Sequence, residues 1–148
     1  MHQVLINGQW RDANSSGTFS AANPETRETH PDHYPVSEWV DCNEALNAAN
    51  EAFVELQNTD RSKIALFLET YAAQIEERAE ELVELAHLET ALAKSPRLAD
   101  VELPRTTNQL RQAAQAALDG SWTLATIDSG ANIRSMYAGL GPVAVFGP

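Results

Sequence analysis

From Asp41 to Gly120 the apolar residues recur three and four positions apart, which commits more than half of the 148-residue chain to helices. Asp41 reads as an N-cap, and Glu44 three residues on completes a capping box. Ala45, Ala49, Ala52, Phe53 and Leu56 then share one face. Asp60 caps a second helix with the stripe Ile64, Phe67, Leu68, Tyr71, Ala72 and Ile75. The charge run Glu76–Glu81 reads as a solvated joint, after which Leu82, Val83, Ala86 and Leu88 resume the pattern. Ser95-Pro96 has the form of an N-cap followed by proline at the first helical position. Pro104 has no backbone N–H and should kink or interrupt the next helix. Leu110, Ala113, Ala114, Ala117 and Leu118 run on to a stop at Gly120.

The two flanks have a different character. Val4-Leu5-Ile6 and Gln9-Trp10-Arg11 are short strand signals joined by Asn7-Gly8, which accepts positive φ at both turn positions. A third strand is expected at Thr18–Ala22, ended by Asn23-Pro24, and the proline-rich residues 24–36 read as loop. At the other end Ile133–Leu140 alternates loosely and is broken by Gly141-Pro142. Val143-Ala144-Val145-Phe146 is a continuous apolar run, as expected for a strand buried on both faces of a parallel sheet. A parallel strand needs a crossover and a neighbour, so the pattern is that of an unfinished βαβ unit and raises the expectation of a truncated chain.

Composition narrows the function. With 21 acidic against 10 basic residues the net charge is −11. That disfavours nucleic acid, which needs clustered cations, and anionic membrane surfaces. The single cysteine, Cys42, allows no intrachain disulfide. No secretory leader is visible after Met1, and no run of about 18 apolar residues occurs, so the expected setting is cytoplasmic.

Groups able to do chemistry are sparse. His30-Pro31-Asp32-His33 lacks further metal ligands, and no neighbouring histidine or cation activates Cys42. Gly139-Leu140-Gly141 is too short for a dinucleotide fingerprint. Arg105-Thr106-Thr107-Asn108-Gln109-Leu110-Arg111 is richer, because Arg105, Asn108 and Gln109 are three and four apart on one helical face. Such a face can grip a carboxylate or simply meet water, and the pattern alone favours water. No metal site and no catalytic constellation emerges from the residues themselves.

Several segments, in order and spacing, resemble the aldehyde dehydrogenase superfamily. Ile6-Asn7-Gly8-Gln9-Trp10 resembles its opening hairpin. Asn23-Pro24-Glu25-Thr26-Arg27-Glu28 resembles the asparagine-proline-x-threonine-glycine-glutamate motif, with Arg27 where glycine is usual. Glu89-Thr90-Ala91-Leu92-Ala93 resembles the glutamate-threonine-glycine-x-proline segment, and Leu140–Pro148 resembles the strand leading into the active site. Ala86–Leu92, Arg105–Arg111 and Gly141–Gly147 are similar to the NADP-dependent branch that includes α-ketoglutaric semialdehyde (2,5-dioxopentanoate) dehydrogenases and a bacterial fatty-aldehyde enzyme. Ala93 and Lys94 depart from the proline and glutamate of that branch.

The resemblance implies a reaction. In the family a cysteine thiolate adds to an aldehyde, hydride passes to NAD⁺ or NADP⁺, and a glutamate-activated water releases the carboxylic acid. The matching asparagine, glutamate and cysteine positions lie past Pro148, so the chain alone is expected to be inactive and to carry no bound cofactor. By position, Phe146, Gly147 and Pro148 would line the cofactor cleft, and Arg105, Asn108 and Gln109 would face the substrate tunnel. The expected fold is α/β and mostly helical. Residues 1–130 form the hairpin plus helical layer, 131–142 a strand for homo-oligomer formation, and 143–148 the first strand of a Rossmann-like nucleotide-binding sheet. The competing reading is a non-enzymatic helical protein-interaction module.

Overall fold

The computed structural model describes Met1 to Gly147. It is mixed α/β, with four α-helices and three two-stranded antiparallel sheets. Two compact units are present, one formed by Met1–Asn58, Glu84–Ala93 and the tail from Gly141, the other by Thr59–Val83 and Lys94–Leu140.

The first unit opens on the expected hairpin. β1 (Val4–Ile6) pairs with β2 (Gln9–Arg11), and the turn residues Asn7 and Gly8 take φ of 50° and 74°. The third strand departs from expectation. β3 covers Ser15–Phe19 and pairs with β4, Tyr34–Ser37, inside the segment read as loop. Asn23 explains the difference, because its side chain accepts from the N–H groups of Glu25 and Thr26 at 2.9 and 3.1 Å and turns the chain back. The returning Pro35 sits opposite Thr18 in a two-stranded sheet, where a missing donor is tolerated at an edge.

The helix α1 spans Trp39–Leu56, so it starts before Asp41. Glu38 holds the cap position with no side-chain bond, and the Asp41 N–H already bonds the Glu38 carbonyl at 3.1 Å. The capping-box reading of Asp41 and Glu44 is therefore corrected. Both carboxylates turn instead to Arg11 of β2, and Asp41 also to Asn14 just before β3.

The second unit is built on α2 (Arg61–Glu77) against α4 (Leu103–Asp119). Asp60 caps α2 as expected, accepting from Ser62 N at 2.7 Å. The inner face of α2 is lined by the buried Ala65 and Ala72, and that of α4 by Thr107 and Ala114, so small residues bring the helices close. Phe67 and Tyr71, placed on the inner stripe by periodicity, are 66% and 51% exposed. A widened helical stretch, Lys94–Glu102, precedes α4, with Ser95 extended and Leu98 buried. Pro104 falls in the first turn of α4, and Glu102 before it is itself right-handed helical, so the interruption expected at this proline is a change from the widened stretch to the α-helix and not a break in the chain. α3 (Ala79–Thr90) follows α2 directly, which confirms the joint at residue 78.

Gly120 ends α4 in the left-handed conformation, as expected. β5 (Thr126–Asp128) and β6 (Ile133–Ser135) then form a small hairpin. The strand expected over 133–140 is thus realised only in its first three residues. Val143–Phe146 forms no strand, and Val145 and Phe146 are 87% and 92% exposed. No strand among the described residues lies beside it, and an extended segment without a ladder partner leaves its backbone to water.

The accessible surface is 11289 Å². A folded monomer of 16.2 kDa has about 7,500 Å². Large apolar side chains contribute to it. Trp39, Leu66, Phe67, Ile127, Met136, Leu140 and Val143 are all more than half exposed.

Candidate functional site

Charge pairing organises the polar residues. In the first unit Asp41 is buried and accepts three hydrogen bonds, from Arg11 Nη2 at 3.0 Å, Asn14 N at 2.8 Å and Asn14 Nδ2 at 2.7 Å. Arg11 also donates to Glu44 at 2.6 Å. Donation by Asn14, and then by Arg11, holds the Asp41 carboxyl below the usual carboxylate range despite burial. The network ties the hairpin and Asn14 after it to the start of α1.

In the second unit Arg111 clamps Glu76 through two bonds, Nη1 at 2.6 Å and Nη2 at 2.8 Å, and Glu69 lies 3.5 Å from its Nε. The Arg111 fork, followed by the Thr107 hydroxyl, lowers the Glu76 pKa to about 2. Glu76 is therefore a helix–helix tie between α2 and α4, where the sequence reading had only a wet face.

The helical face proposed for substrate lies at the start of α4. Arg105, Asn108 and Gln109 are all exposed and on one side of the helix. Arg105 makes one charge contact, to Glu102 at 3.7 Å, and no hydrogen bond among the described residues. The other carboxylate oxygen of Glu102 holds Arg97 Nη2 at 2.7 Å. Sequence reasoning missed Arg97 and Glu102, whose only signal was a pair of arginines on either side of an acid.

Phe146 and Gly147 stand open, with nothing within 4 Å of a Cβ built on Gly147, and Pro148 lies outside the described residues. The tail begins against Phe53, 3.9 Å from a Cβ built on Gly141. A shallow recess of about 400 Å³ is lined by Leu124, Thr126, Ser135, Met136 and Tyr137.

The remaining candidates resolve as structural groups. His30 Nε2 meets the Leu88 carbonyl at 3.1 Å, and Tyr34 donates to Glu89 at 3.5 Å, fastening the 30–34 segment to the end of α3. His33 Nδ1 lies 3.0 Å from the Ser20 hydroxyl. No group of three metal-binding side chains is gathered among the described residues, and Cys42 is exposed without an activating partner. No described helix is long and apolar enough to cross a membrane.

Known proteins resemble this chain in sequence and fold. The aldehyde dehydrogenase family model matches residues 10–148. An α-ketoglutaric semialdehyde dehydrogenase 2 of Azospirillum brasilense is 34% identical over 145 residues, covering 91% of this chain and 27% of its own. An α-ketoglutaric semialdehyde dehydrogenase of Acinetobacter baylyi is 35% identical over 154 residues, covering 97% and 28%. Among solved structures, an aldehyde dehydrogenase C variant of Pseudomonas syringae complexed with NAD⁺ and octanal superposes with a TM-score of 0.77 at 25% identity, over 87% of this chain and 26% of that one. The chain therefore spans about a quarter of the length of these relatives. Matched over nearly all its length in sequence and over most of it in fold, the chain belongs to the aldehyde dehydrogenase family.

Proposed function

We propose that residues 1–148 act as the N-terminal part of an NAD(P)-dependent, cytoplasmic aldehyde dehydrogenase that oxidises a carboxylate-bearing semialdehyde to the acid. The observation that carries this is the match to semialdehyde dehydrogenases over 91–97% of the chain. The large apolar exposure supports it, since relatives hold a further three quarters of sequence able to cover such faces. In this reading residues 1–130 form the hairpin and helical layer. Residues 131–142 supply the strand through which subunits pair. Val143–Phe146 becomes a nucleotide-sheet strand once neighbours supply its ladder. Phe146, Gly147 and Pro148 then line the dinucleotide cleft, at the carboxyl end of that strand. Arg105, Asn108 and Gln109 face the substrate, with the Arg105 guanidinium offered to its carboxylate.

The interaction-module reading makes no use of the family match and is tested with the first. The genomic reading frame past Pro148 is the deciding observation. A continuation into Ser-Asn-Phe-Pro and a later cysteine is expected, and a natural stop codon after Pro148 would overturn the enzymatic reading. Purified 148-residue chain with NAD⁺ or NADP⁺ and an aldehyde panel should give no reduced-nicotinamide absorbance. Turnover surviving further purification would mean that the catalytic groups had been sought in the wrong place.

A further inference from the structure

Glu102 sits between two arginines, and its two oxygens are used unequally. Arg97 approaches one at 2.7 Å and Arg105 the other at 3.7 Å. Arg97 is thus the nearer of the two charge partners of Glu102. Arg105, with its side chain 66% exposed, keeps its five N–H donors without a hydrogen bond among the described residues. The trio carries one net positive charge in a chain whose net charge is −11. The nearby Asp100 is occupied by the Ser95 hydroxyl at 2.7 Å.

We infer that Arg97 and Glu102 are positioning residues that set the affinity of Arg105 for a ligand carboxylate, Arg97 by drawing Glu102 away and Glu102 by partly neutralising the site. This rests on the substrate class proposed above. The incoming carboxylate docks on the fork of Arg105, and Glu102 stays with Arg97, so each charge keeps a partner. The two positioning residues act with opposite sign. Removing Glu102 strips a competing anion from Arg105. Removing Arg97 frees that anion to close on Arg105 and also deletes a cation.

The test uses the 148-residue chain itself, at low ionic strength so that screening does not erase the effect. Arginine Nε–H NMR signals are followed while glutarate is added, with glutaramide as the neutral control of like size. Glutarate should shift the Arg105 signal and glutaramide should not. A unit charge about 7 Å away in high dielectric changes affinity about threefold. Glu102→Gln should therefore lower the half-saturation point about threefold and Arg97→Ala should raise it at least as much. Arg105→Ala should abolish saturable binding, and amide spectra verify that each variant is folded. Absent binding, equal response to glutaramide, or Glu102→Gln and Arg97→Ala moving the same way would each overturn the inference. If Arg97→Ala fails to fold, Arg97→Lys should raise the half-saturation point by less than about threefold, and an unchanged or lowered point would equally overturn it. A stop codon after Pro148 would remove the enzymatic reading and leave this binding result standing, so the two failures are distinguishable.

Discussion

The ends of α3 and α4 offer a matched pair for measuring backbone strain. Ala91 and Gly120 each stand one residue past their helix, with φ of 55° and 66°. Each donates its N–H four residues back, to His87 at 2.8 Å and to Ala116 at 2.9 Å. Both are left-handed helix stops, a position where glycine is usual. An L-residue there costs about 1–2 kcal/mol, and the extra freedom of unfolded glycine takes back about 0.5–1 kcal/mol. Ala91→Gly should therefore stabilise by about 0.5–1 kcal/mol and raise Tm by about 1–4 °C for a chain of this size. Gly120→Ala runs the other way and meets an obstacle. Its new Cβ would fall 2.0 Å from Arg61 Nη1 and 2.8 Å from Cζ. That guanidinium is the end of a flexible side chain and swings aside, so the total loss should be about 1–2 kcal/mol. Urea unfolding followed by far-UV circular dichroism and tryptophan fluorescence checks both. Trp10 and Trp39 share the first unit with Ala91, and Trp122 shares the second with Gly120. An Ala91→Gly midpoint at or below wild type would refute the strain argument, because the unfolded-state entropy that favours alanine is already counted in the expected gain.

Two further outcomes follow from the ion pairs. The Glu76 pKa is lowered from its ordinary 4.5 to about 2, so the stabilisation is complete above pH 4.5 and is lost as pH falls through about 2; Glu76→Gln should flatten that acid limb in thermal melts, and an unchanged slope would contradict the clamp. Asp41→Ala should leave the Asn14 N–H and Arg11 without their buried acceptor and lower the melting temperature more than Glu44→Ala, whose carboxylate is half exposed; equal losses would show that the network is not what holds the hairpin to α1.

Local signals in the sequence determined local structure. Asn7-Gly8, Asp60 and Gly120 act on backbone groups within four residues, and each did what its chemistry predicts. The family was legible for a similar reason, since short motifs in fixed order survive without reference to packing. Arg27 and Ala91 stand where glycine is usual in those motifs, and both still take positive φ, at 62° and 55°. The backbone path outlasts the residue that suits it best.

Tertiary structure decided the rest. Asp41 has the composition of an N-cap, but Arg11 and Asn14, about thirty positions away, offer it three hydrogen bonds, and a cap offers fewer. Glu76 and Arg111 are 35 residues apart, so only the packing of α2 on α4 could pair them. The uneven sharing of Glu102 depends on a difference of 1.0 Å, 3.7 against 2.7 Å, that no spacing rule encodes. Val143–Phe146 has the side chains of a buried strand, yet strand formation is a property of a ladder, and its hydrogen bonds belong to neighbours that sequence periodicity cannot supply.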